Sequence, residues 1–136
     1  HLLGECGVGF FASRRLASRL TGEFPKSLDG APMLLPSGDT SLGRGVRQWF
    51  DSCGVRPEVV AEFSDSALMK AFGQTGLGVF PLPDITEEDV KRQYNARVVG
   101  HTDEIRARFF AISTERRLKN PAVVAICESA RQQIFS

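Results

Sequence analysis

Cysteine is scarce in this sequence and its placement uninformative for disulfides. The three present, Cys6, Cys53 and Cys127, are odd in number and far apart among 136 residues. No Cys-x-x-Cys pair or cysteine–histidine cluster occurs, so neither a disulfide framework nor a zinc site is indicated, and reduced thiols in the cytoplasm are the expectation. Of two histidines only His101 lies inside the chain. No apolar run approaches the roughly 18 residues that a spanning helix needs, which argues against a helical membrane span. A dominant charge is missing as well. Seventeen basic and sixteen acidic side chains leave +1, too little for a phosphate-binding field over the whole chain. There is no charged segment leading into an apolar one, so no signal peptide is expected. The start at His1, without Met and just ahead of a strand-like segment, suggests a piece of a longer protein.

What is present is ordinary globular material. Hydrophobic residues make up 42% and charged residues 24%, which argues against disorder. Charge is uneven along the chain, with eight acids against five bases in residues 51–100. An acidic middle suits a cation or a basic surface, and equally a solvated acidic face.

The order of elements carries more. Residues 4–12 (GECGVGFFA) read as a buried strand, and residues 13–20 have a basic helical look. Met33-Leu34-Leu35 is an apolar run stopped by Pro36. The spacing of Leu42, Val46, Trp49, Phe50 and Cys53 predicts a helix over 42–53, with Gly54 as its left-handed terminator. Residues 58–63 (EVVAEF) form a strand. Residues 65–74 form a helix capped by Ser64, with Leu68, Met69 and Phe72 along one side, and residues 76–81 form a short strand. Thr86 caps a helix whose first turn is acidic. Residues 96–100 and 107–113 read as two strands. Asn120-Pro121 opens a last helix with Val123, Val124, Ile126, Cys127 and Ala130 on its buried side. This alternation predicts an α/β fold with a mostly parallel sheet.

Chemistry is thin. His101 follows an apparent strand at the start of a connection, where it serves as a base or, more simply, as a surface or hinge residue. No G-x-S-x-G, Walker or dinucleotide-binding motif occurs, no metal-ligand spacing is found, and no cofactor is implied, so an enzyme is not expected. Residues 36–41 are more useful: they leave a strand, turn on Gly38, and deliver Thr40 and Ser41 to a helix N-terminus. Free N–H groups and hydroxyls there suit a small polar or anionic ligand, unless Thr40 only caps its own helix. Phe80-Pro81-Leu82-Pro83 leaves its strand at an equivalent end and could form the facing wall. Glu5, Glu62 and Asp65 are the carboxylates nearest strand ends, open to a hard cation or to structural roles.

The run PMLLPSGDTSLGRGVRQWFDSCGVRPEVVAEFSDSALMKAFGQTGLGVFPLP resembles the effector-binding region of LysR-type transcriptional regulators. The likeness rests on residues 36–41, on Gly54-Val55-Arg56-Pro57, on residues 58–74 and on residues 76–83. Gly4-Glu5-Cys6-Gly7-Val8, Gln48-Trp49-Phe50 and Ala67-Leu68-Met69-Lys70-Ala71-Phe72-Gly73 resemble a branch of activators that control a sodium/proton antiporter gene in response to sodium.

The resemblance implies a type-2 periplasmic-binding-protein-like domain, two-lobed and three-layered (αβα), of which this chain holds one full lobe and part of the other. Residues 1–95 would be a crossover strand and the second lobe, and residues 96–136 the return crossover and the C-terminal part of the first lobe. Ser37, Thr40 and Ser41 would form one wall of the effector cleft, with Phe80 and Pro81 near the hinge. The implied effector is small, with sodium or lithium ions suggested by the branch. A homodimer or homotetramer with helix 42–53 at its interface is implied, and DNA only through an N-terminal winged helix-turn-helix absent here. A solute-binding protein of a transport system shares this fold and is the competing expectation.

Overall fold

A computed structural model describes residues 1–112 and 121–135, the side chain of Val123 excepted. The elements run β1 (Leu2–Ser13), α1 (Arg14–Arg19), β2 (Pro32–Pro36), α2 (Ser41–Cys53), β3 (Glu58–Phe63), α3 (Ser66–Gln74), β4 (Phe80–Pro83), α4 (Glu87–Tyr94), β5 (Ala96–Phe110) and α5 (Pro121–Gln133). Single 3-10 turns lie at Lys26–Leu28 and Asp84–Thr86.

β1 is the spine. Its successive side chains point to opposite sheet faces, so Val8, Phe10 and Ala12 enter one core while Phe11 enters another. The first core is closed by Leu16 of α1 and by Val46, Trp49 and Phe50 of α2. The Phe10 ring stacks on Trp49 at 5.4 Å between centroids. The second core takes Met69 of α3 and Val90 of α4. Helices therefore cover both faces, giving the three-layer α/β architecture.

The sheet departs from the mostly parallel expectation. β2 and β3 are parallel, but β4 and β5 flank β1 antiparallel. A parallel bridge between Met33 and Val79 joins the two groups, with Leu34 N–H donating to Val79 O at 2.7 Å. Strand–helix alternation counts elements but not directions, and a helix-sized connection serves either direction. β4 starts at Phe80 rather than Gly76 and includes Pro81 and Pro83, because it is the edge of its sheet and a proline there leaves no partner's bond unmade.

β5 is one strand of fifteen residues where two were expected. Its middle, HTDEIR, looks like a connection because most of its side chains face water, yet Thr102 and Ile105 are buried. Cys6 stands opposite Ala107 and Val8 opposite Thr102, so residues 103–106 bulge out beside Gly7. The bulge sends Ile105 into the first core.

Two helix caps also differ. Asp65, not Ser64, caps α3, accepting from Ala67 N–H at 2.8 Å. The Thr86 hydroxyl donates to Pro83 O at 2.7 Å instead of capping α4. Within α3 the inward line is Met69 and Gly73, with Leu68 and Phe72 on the exposed flank. A Cβ on Gly73 would stand 2.3 Å from the Phe80 ring, so the helix lies too close for any side chain there. In α5, Cys127 is buried but Ile126 is exposed. Ser113, the end of the second strand expected there, and Asn120, the expected cap, lie outside the described residues. Among the described residues no helix is long and apolar enough to cross a membrane.

Candidate functional site

The parallel strands β2 and β3 end side by side. Ser37 N–H donates to Phe63 O at 2.8 Å, tying the two exits together. Beyond them begin α2 and α3, so two helix N-termini face one region at the carboxyl ends of the strands. Thr40 is the N-cap of α2: its hydroxyl donates to Ser37 O at 2.7 Å and accepts from Gly43 N–H at 3.0 Å. Both structural uses of that hydroxyl are filled, though an oxygen retains a second lone pair. A Cβ on Gly43 would stand 2.1 Å from Ser37 O, so the first turn of α2 rests on the exit of β2 at glycine range. Arg47 completes the frame, donating to Pro36 O at 2.9 Å and pairing with Glu62.

Between these parts lies a cavity of about 240 Å³ lined by Pro36, Thr40, Leu42, Phe63, Ser64, Ser66 and Met69. Three hydroxyl-bearing residues and four apolar ones line it, a composition suited to a small ligand held by a few polar contacts. Of the residues expected from the sequence, only Thr40 lines it. Ser37 supports Thr40 through its carbonyl. Ser41 instead borders a wider cavity of about 530 Å³ with Trp49 and Arg106. Phe80 and Pro81 are buried on β4, paired with Phe11 and Phe10 across the sheet, and are not among the residues lining the smaller cavity. Ser64 and Ser66 were not anticipated. Only the pairing of β2 with β3 brings them to Thr40, and no local signal reports it.

The three carboxylates considered for a cation are held apart. Glu5 pairs with Arg106 at 3.3 Å and Arg108 at 3.2 Å, Glu62 with Arg47, and Asp65 is spent as a cap. Among the described residues the one convergent group of histidine and carboxylate is Asp84, His101 and Asp103. Their separation in sequence, and the reading of His101 as part of a connection, hid it.

Helices on both sheet faces, with a small cavity where β2 and β3 end, make this an α/β domain whose cavity lies where open α/β sheets take their ligands. The family model for the LysR substrate binding domain matches residues 2–134, and the chain belongs to that family. Its sequence is 33% identical over 134 residues to the transcriptional activator protein NhaR of Escherichia coli (strain K12), and equally to that of Shigella flexneri. The match covers 98% of this chain and 44% of each relative, so the chain spans less than half their length.

Solved structures show the same fold. The Synechocystis PCC6803 CcmR regulatory domain in complex with 2-PG has a TM-score of 0.72 at 12% identity, covering 100% of this chain and 68% of that one. The apo regulatory domain of HypT from Salmonella typhimurium has 0.66 at 15%, covering 98% and 65%. Vibrio fischeri DarR in complex with DNA has 0.72 at 15%, covering 94% and 44%.

Proposed function

We propose that this chain is the effector-sensing part of a LysR-type transcriptional activator that responds to sodium or lithium ions and controls expression of a sodium/proton antiporter. The observation that carries the reading is the 33% identity to a transcriptional activator along nearly the whole chain. The cavity at the ends of β2 and β3, with Thr40, Ser64 and Ser66 in its lining, gives the reading a place for a small effector. In this reading residues 1–95 are a crossover strand and second lobe, and residues 96–136 the return crossover and part of the first. Ser37, Thr40, Ser41, Phe80 and Pro81 belong to the effector wall and its supports. The full-length protein is a cytoplasmic homodimer or homotetramer, with α2 contributing to its interface. It reaches DNA through an N-terminal domain outside this chain.

An effector acts only through a difference in affinity between two arrangements of the regulator. The test is a reporter placed behind the antiporter promoter and driven by the full-length protein. Sodium and lithium chlorides are expected to raise expression over potassium chloride at matched ionic strength. Equal expression in all three overturns the reading.

A further inference from the structure

The group on the antiparallel β4–β1–β5 sheet is built more closely than an incidental ion pair requires. His101 Nε2 lies 2.5 Å from Asp84 Oδ2 and 3.6 Å from Asp103 Oδ1. The three residues come from separate places: Asp84 opens the 3-10 turn after β4, His101 stands on β5 opposite Gly9, and Asp103 sits in the bulge beside Gly7. A Cβ on Gly7 would stand 2.6 Å from Thr102 O, 2.7 Å from Asp103 Oδ1 and 2.8 Å from Asp84 Oδ2, and one on Gly9 2.9 Å from the Phe11 ring and 3.2 Å from Asp84 Oδ1. Glycine at both positions lets the two carboxylates lie against the strand as well as accommodating Thr102 O and the Phe11 ring. The second oxygen of Asp84, Oδ1, is shut off from solvent with no hydrogen-bond donor, a cost the fold carries unless something else meets that oxygen.

We propose that Asp84, His101 and Asp103 form a binding site for a divalent transition-metal cation of the zinc type. One imidazole nitrogen with two carboxylate oxygens is the ligand set such ions accept, leaving a further position for water. Ligand atoms about 2.0–2.2 Å from a tetrahedral Zn²⁺ stand about 3.4 Å from one another, close to the His101–Asp103 separation. The His101–Asp84 contact is shorter and opens by about 1 Å when the cation replaces the direct bond.

Entry is open, since the Asp103 side chain is 74% exposed and that of His101 46%. Arg106 Nη1 lies 3.3 Å from Asp103 Oδ1 and competes, but its other nitrogen is already on Glu5 at 3.3 Å, which keeps the guanidinium partnered when Asp103 turns to the ion. The site is separate from the cavity at the ends of β2 and β3. It does not rest on the sodium reading, because a hard monovalent ion has no use for imidazole.

Isothermal titration of the full-length protein with ZnCl₂, in chelator-free buffer with a non-thiol reductant, tests the proposal. Binding is expected, weakened about tenfold or more in His101→Gln and in Asp103→Asn, both exposed positions where the fold survives. Glu58→Gln, an exposed position on β3 in the other sheet, is expected to leave the affinity unchanged. Zn²⁺ affinity equal in the wild type and both ligand variants, which would place the metal on the cysteines or elsewhere, overturns it. So does the absence of binding, or binding of CaCl₂ without ZnCl₂.

Discussion

Thr40 illustrates how one side chain can serve fold and ligand together. Its hydroxyl ties the start of α2 to the turn at Ser37, while its outer side faces the cavity shared with Ser64 and Ser66. Replacing it with Val removes the acceptor for Gly43 N–H, and urea unfolding is expected to show a loss of about 1 kcal/mol. Ser66→Ala is the contrasting change. Ser66 is exposed at the start of α3, so stability is expected to stay within about 0.5 kcal/mol while induction by sodium falls in the reporter. A large stability loss with unchanged induction would contradict the placement. Thr40 was legible because a hydroxyl after a Ser-Gly-Asp turn, just ahead of an apolar helix pattern, is a local signature. Ser64 and Ser66 were not, since their role depends on two strand exits meeting.

At the scale of elements, α2 was readable almost to the residue. Its apolar face, its capping threonine and Gly54, observed at φ +72°, all point to the same boundaries. Gly43 within it has a purpose that the pattern does not reveal. Ala is worth about 1 kcal/mol more than Gly inside a helix, so propensity alone favours Gly43→Ala. The Cβ would nevertheless meet backbone oxygen of Ser37 at 2.1 Å and of Pro36 at 2.8 Å, neither of which can swing away like a side chain. Chemical denaturation is expected to show net destabilisation, and a stabilised variant would contradict the close approach of α2 to β2. β5 was the hardest element to read. Its polar middle obeys neither helix nor strand periodicity, because the bulge at residues 103–106 shifts the alternation partway along.

For the molecule as a whole, repeated strand–helix alternation disclosed the α/β class, and the family resemblance disclosed the layered domain. Strand direction remained hidden, since β1 collects its antiparallel neighbours β4 and β5 from distant parts of the chain. Apolar side chains exposed at Phe110, Ile112 and Ile126 fit the proposed division, in which residues 96–136 pack against further parts of the first lobe. A cation that acts as effector must stabilise the arrangement it prefers by mass action, in proportion to its concentration over its Kd. Thermal melting of the full-length protein in sodium, lithium and potassium chlorides at one ionic strength therefore tests cation sensing most directly. Midpoints higher in sodium and lithium than in potassium are predicted, and equal midpoints in all three would contradict it.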